Sequence, residues 1–150
     1  MLIIIRHGQT EKNKEKRLQG RSNQPLNDAG ISQAKEALKR LKDKGIIIDQ
    51  IISSPLIRAV ETARIVTEDH LPIFLDDRLL EMDYGPYEGL DMRNPPPEII
   101  TFFSDFIHNK APQGMEDLDH VVERSGELIE SLKDIGEKNI LLSACLKVGI

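Results

Sequence analysis

The residues of this sequence best suited to chemistry are an arginine and a histidine at the end of an apolar run. In MLIIIRHGQTEKN, Leu2 to Ile5 lead directly into Arg6, His7 and Gly8. Such a run predicts a buried strand, which sets Arg6 and His7 at the carboxyl end of a sheet, where open α/β folds bind ligands. The arginine guanidinium is a planar fork of donors matched to phosphate oxygens. A histidine near neutral pH serves as nucleophile or proton carrier. Gly8 lets the backbone come close to a ligand, and Thr10 and Asn13 add short polar groups.

A second arginine stands in SSPLIRAVETA. Ser53, Ser54 and Pro55 predict a strand-to-helix turn, with the proline early in the helix, where its missing donor costs least. Arg58 then falls in the first turn, beside backbone N–H groups and a dipole that favour an anion. A cation is poorly placed there unless it meets a ligand. The alternative is a surface salt bridge with Glu61.

RHGQTEKN resembles the first signature of the histidine phosphatase superfamily, also called the phosphoglycerate mutase-like family. SSPLIRAVETA is similar to its second. Its third is matched by Arg78, Leu79, Glu81, Gly85, Glu88 and Gly89 in RLLEMDYGPYEG. A further loop pattern is matched by Arg17, Gln19, Gly20, Pro25 and Leu26, with Asn23 in place of the usual aspartate. The resemblance covers residues 1 to about 142 and implies phosphoryl transfer through a phosphohistidine on His7. Arg6 and Arg58 would clamp the phosphoryl oxygens with help from Asn13 and Thr10. Glu81 would protonate the leaving oxygen, although Asp83 competes within the motif and Glu81 could instead be an exposed partner of Arg78. Gly8, Arg17, Gln19 and Gly20 are candidates for lining the pocket. No cofactor and no metal is implied.

Several elements must position these groups. Asn27 or Asp28 caps a helix on which Ile31, Ala34, Leu38 and Leu41 recur at spacings of three and four, and Gly45 closes it. Residues 11 to 26 read as a loop. Ile46 to Ile52 and Ile73 to Leu75 predict strands. Asn94 to Lys110 predicts an amphipathic helix over the active-site mouth, with Phe102, Phe103 and Phe106 as packing residues and a substrate-facing role for one of them as the alternative. Met115 to Lys138 predicts a long helix with Leu118, Val121, Val122, Leu128, Ile129, Leu132 and Ile135 inward; the family pattern is kept there at Glu116 and Arg124. Asn139 to Leu142 predicts a last strand. The fold expected is a three-layer α/β/α sandwich with a mostly parallel central sheet, one domain over residues 1–150, shortened at its C-terminal end.

The family's last strand ends in a second catalytic histidine. Here SACLKVGI offers Ala144 or Cys145 at that position. Loss of a cation at the transferred group removes electrostatic stabilisation worth about 2.7–4 kcal/mol. Three readings therefore stand: a phosphatase, a phosphoglycerate mutase, and an inactive phosphate-binding module. The short stretch between Gly89 and Pro112 favours the phosphatase over the mutase.

A net charge of −5 argues against a nucleic-acid partner, and the apolar runs are too short to span a membrane. One cysteine, Cys145, builds no disulfide framework, which points to the cytoplasm. His70, His108 and His120 show no metal-ligand spacing. No dinucleotide or P-loop glycine motif occurs. The expected partner is a small phosphorylated substrate.

Overall fold

The computed structural model describes residues 1–134 and 136–145. Its sheet has four strands, β1 (Leu2–Arg6), β2 (Gln50–Ser53), β3 (Ile73–Leu75) and β4 (Ile140–Ala144), in the order β1-β4-β2-β3. All three pairings are parallel. Helices α2 (Asp28–Asp43) and α3 (Ile57–Val66) cover one face, where Ala34, Ala63 and Val66 pack on Ile51 and Leu141. Helix α5 (Leu118–Ser131) covers the other, with Leu128 against Ile52, Ile140 and Leu142.

The end strand β1 differs from expectation. Ile3 and Ile5 pack in the cluster of the α2 and α3 face, but Leu2 and Ile4 are exposed, and the buried cluster that includes Leu128 of α5 takes in residues of β2 and β4 rather than β1. The fully buried strand is β4.

Local signals explain the boundaries. Asn27 caps α2, its side-chain oxygen accepting the Gly30 N–H at 2.9 Å. Gly45, at φ +64°, ends it: the N–H groups of Gly45 and Ile46 donate to Lys42 and Leu41. The chain does not enter β2 at Ile46 as expected. The Ile47 carbonyl and the Asp49 N–H bond instead to Asn139, and the ladder begins at Gln50.

The predicted loop after β1 contains a short helix, α1 (Glu11–Lys14). Thr10 and Asn13 cap it reciprocally through side chain and backbone. Pro55 lies before α3 rather than inside it, because Leu56 is the N-cap residue. Helix α4 (Pro97–Ser104) is half the predicted length: Pro95 and Pro96 precede it, with Pro96 an extended N-cap and Pro97 its first residue, and at Asp105 the backbone leaves helical geometry.

Helix α5 is also shorter than expected. Glu116 donates its N–H to the Asp83 carbonyl, which ties the preceding segment to a neighbouring loop. Val122 and Ile129 are exposed, and the buried positions of α5 are Val121, Arg124 and Leu128. Ile135 lies outside the described residues.

Candidate active site

A cleft of about 1060 Å³ opens at the carboxyl end of β1. Of the predicted site residues, Arg6, His7, Gly8, Asn13, Arg17, Gln19 and Glu81 line it. Thr10, Gly20 and Arg58 stand outside that lining.

His7 is set by its place one residue beyond β1, where its N–H donates to the Ala144 carbonyl at 3.2 Å. Its ring Nδ1 lies 2.7 Å from the Gly8 carbonyl. A carbonyl only accepts, so Nδ1 carries the proton and Nε2 keeps its lone pair. Burial lowers the His7 pKa to about 4, with the charges of Arg58 and Arg6 adding to it, against an upward pull from the Gly8 hydrogen bond. His7 is therefore neutral at physiological pH. Arg6 itself is exposed beside it.

Gly8 is required by sterics. A Cβ at this position would stand 2.4 Å from the Gly30 carbonyl oxygen. The chain after His7 is thus pressed against the start of α2, and the Gly8 N–H reaches Thr62 Oγ1 on α3 at 3.3 Å.

Arg58 is fully buried. Nη2 donates to the Gly20 carbonyl at 2.6 Å and Nη1 to the Ser22 carbonyl at 2.7 Å. Its Nε is buried without a hydrogen-bond partner among the described residues. The surface bridge to Glu61 is not formed; that carboxylate accepts the Leu26 N–H. Asn23 stands in for the usual aspartate as a remote cap of α3, its Oδ1 accepting the Ile57 N–H at 2.7 Å.

Thr10 does not reach the cleft. Its buried hydroxyl donates to Gln19 Oε1 at 2.6 Å, bracing the loop on which Gln19 sits. Asn13 Oδ1 accepts the Thr10 N–H, and Gln19 Nε2 is buried without a partner among the described residues. Gly20 lies behind them, where a Cβ would meet the Met82 carbonyl at 2.6 Å. Arg17 reaches back to the Gly89 carbonyl and to Glu15.

Glu81 is 4% exposed and is not the surface partner of Arg78, which pairs with Asp76. Its Oε1 accepts the Met82 N–H at 2.9 Å. Arg124 fixes this segment from α5, donating to the carbonyls of Arg78 at 2.8 Å and Glu81 at 3.3 Å. The Glu116 carboxylate holds Arg124 through both oxygens. Burial opposes the charge on Glu116, but hydrogen bonds from Arg124 and the Asp83 N–H and the charges of Arg124 and Arg21 outweigh it, and its pKa is lowered.

At the end of β4, Ala144 stands opposite Arg6 in the register and Cys145 follows, fully buried against Leu56 and Ala59. Burial pushes the thiol pKa up against the pull of the Arg58 charge and a hydrogen bond with Ser54. Among the described residues no cluster of His, Cys, Asp or Glu is suited to a metal ion. His70 Nδ1 lies 3.2 Å from the Thr67 carbonyl, His108 Nδ1 lies 2.8 Å from the Asp105 carboxylate, and His120 pairs with Glu116.

Glu88 had no role predicted beyond its place in the third motif. Both of its oxygens accept the Gly20 N–H at 3.0 Å, and one accepts the Ser22 N–H at 3.3 Å. Phe102, Phe103 and Phe106, for which the sequence favours packing and leaves a substrate-facing role open, line the apolar wall of the cleft. Periodicity distinguishes inward from outward faces but not a core from a cleft.

A neutral histidine and an arginine thus stand at the carboxyl end of the first strand of a parallel α/β sheet. The profile of the histidine phosphatase superfamily (branch 1) matches residues 2–144, and the chain belongs to that superfamily. It is 36% identical over 145 residues to the uncharacterized phosphatase PhoE of Bacillus subtilis, covering 95% of this chain and 70% of that protein. It is 31% identical over 155 residues to the probable phosphoglycerate mutase GpmB of Escherichia coli, covering 99% and 71%. A mycobacterial glucosyl-3-phosphoglycerate phosphatase, solved as a complex with VO3, superposes at a TM-score of 0.82 with 30% identity, covering 95% of this chain and 74% of that one.

Proposed function

We propose that this chain hydrolyses small phosphate monoesters by double displacement through a phosphohistidine. The observation that carries the reading is His7: neutral, with Nδ1 tied to the Gly8 carbonyl and Nε2 available, between the charges of Arg6 and Arg58.

In the first step the Nε2 lone pair attacks phosphorus as the bond to the leaving oxygen breaks. Protonated Glu81 gives its proton to that oxygen, so an alcohol departs. In the second step water attacks phosphorus, Glu81 accepts its proton, and the N–P bond breaks to release phosphate. Microscopic reversibility makes one carboxyl group acid and then base. Arg6 and the buried guanidinium of Arg58 supply the positive charge that stabilises the transferring group. Asn13 and Gln19 offer amide groups at the cleft wall. Thr10 serves as a brace. The single cysteine fits a cytoplasmic setting.

Ala144 and Cys145, neutral at the end of β4, favour a second reading: a phosphate-binding module with little turnover. Hydrolysis of p-nitrophenyl phosphate by the parent, His7→Ala and Cys145→His separates the two. Activity in the parent that vanishes in His7→Ala supports the enzyme. Activity only in Cys145→His supports the module.

A further inference from the structure

We infer that Gln33 is a positioning residue for the nucleophile: through the peptide unit joining Gly8 to Gln9 it keeps the proton of the His7 ring on Nδ1 and leaves Nε2 free to attack. This rests on the phosphohistidine reading above and adds to it a residue on α2.

That one peptide unit is held at both ends. Its carbonyl, from Gly8, accepts the His7 Nδ1–H at 2.7 Å, and its N–H, from Gln9, donates to Gln33 Oε1 at 2.8 Å. Among the described residues the Gln9 N–H has no other acceptor. Asn27, Gly30 and Gln33 stand three residues apart and bring the start of α2 onto this turn. The Asn27 N–H donates to the Gln9 carbonyl at 3.0 Å, and a Cβ on Gly30 would collide with that same oxygen. Of the three, Gln33 is the one that hydrogen-bonds to the peptide facing His7.

A neutral imidazole carries its proton on either nitrogen, and the group that faces one nitrogen decides between them. Gly8 alone leaves that choice open, because a glycine tolerates the backbone rotation that flips the following peptide. Flipped, the peptide would turn its N–H towards His7. Nδ1 would then become the acceptor, the proton would sit on Nε2, and the lone pair that attacks phosphorus would be lost. The same flip would break the bond to Gln33, so that bond favours the attacking tautomer. Its effect grows during transfer. As the N–P bond forms, the ring gains positive charge and its Nδ1–H becomes a stronger donor. A peptide whose N–H is already given to Gln33 is polarised and offers a better carbonyl acceptor.

Gln33 is exposed at the cleft, so leucine, of similar length and a good helix former, should be accepted there. Circular dichroism and urea unfolding would confirm that Gln33→Leu and Gln33→Glu fold. Nuclear magnetic resonance of the ring nitrogens, assigned by comparison with His7→Gln, would then report the His7 tautomer at neutral pH. The parent should carry the proton on Nδ1. Gln33→Leu should move both ring nitrogens towards the average of the two tautomers. The single-turnover release of p-nitrophenol from p-nitrophenyl phosphate should slow by at least about tenfold, with a smaller change in KM. Gln33→Glu, which keeps an acceptor oxygen, should restore the tautomer and most of the rate at saturating substrate. A parent ring protonated on Nε2, or a tautomer unchanged in Gln33→Leu, would overturn the inference. So would a slowed Gln33→Leu that Gln33→Glu does not rescue, since that marks a merely structural role. If the parent releases no p-nitrophenol, the phosphohistidine reading fails, and the tautomer comparison still decides whether Gln33 sets the His7 ring.

Discussion

Arg58 and Glu88 grip the same short loop through opposite backbone polarity. Arg58 takes the carbonyls of Gly20 and Ser22, and Glu88 takes their N–H groups. A buried guanidinium is therefore aimed by a loop that a carboxylate on another segment holds in place. Neither contact is local in sequence, and each depends on the other.

Removing Glu88 should loosen this arrangement. Glu88→Ala leaves backbone donors unsatisfied, an expected loss of about 1–3 kcal/mol. The midpoint of urea unfolding should fall accordingly. The KM for a phosphate monoester should rise more than kcat falls, because Arg58 loses its aim while His7 and Glu81 stay. Glu88→Gln, which keeps one acceptor oxygen, should recover part of both effects.

The pH behaviour of His7 follows from its environment. Folding lowers its pKa from 6.5 to about 4, so between these values the unfolded chain binds a proton that the native chain does not. Stability should fall as pH drops through that window. The difference in unfolding free energy between the parent and His7→Gln should change in this range and level off above it. Nuclear magnetic resonance titration of the His7 ring should give a midpoint near 4.

The pair of Arg124 and Glu116 should act on Glu81 from a distance. Arg124→Met removes one cationic partner of the Glu116 carboxylate, which keeps Arg21, His120 and the Asp83 N–H, and releases the carbonyls of Arg78 and Glu81. Leaving such acceptors without their donor costs about 1–3 kcal/mol. Thermal unfolding should reveal a loss of that order for Arg124→Met. Replacing both partners by residues of similar volume should cost less than Arg124→Met alone.

Cys145 should be unreactive. It is fully buried and its thiol pKa is raised by that burial. Titration with a disulfide reagent at neutral pH should show no fast reaction until denaturant is added, when one thiol reacts.

The sequence made the reactive end of the site legible because its signals are local. An apolar run that stops at Arg6 and His7, and a helix start ahead of Arg58, place three groups with little tertiary information. The depth of Arg58 was not legible: it depends on Gly20 and Ser22, which arrive from a loop dozens of residues away. Thr10 looked like a ligand because a short hydroxyl beside a histidine has two uses, and only the position of Gln19 distinguishes them. The exposed face of β1 was hidden for a related reason. LIII is uniformly apolar, and its alternation of exposure follows from an end strand whose Ile3 and Ile5 alone join a buried cluster. The lengths of α4 and α5 were overestimated because periodicity continued past residues whose backbone groups bond elsewhere, as at Glu116.

The most direct test of the account is to trap the phosphorylated chain. The protein would be mixed with p-nitrophenyl phosphate, quenched in alkali, which preserves phosphohistidine, and mapped by mass spectrometry. The account predicts one added phosphoryl group on the peptide containing His7, lost on acid treatment and absent in His7→Ala. Hydrolysis that persists in His7→Ala, with no phosphoryl group on the His7 peptide of the parent, would contradict it.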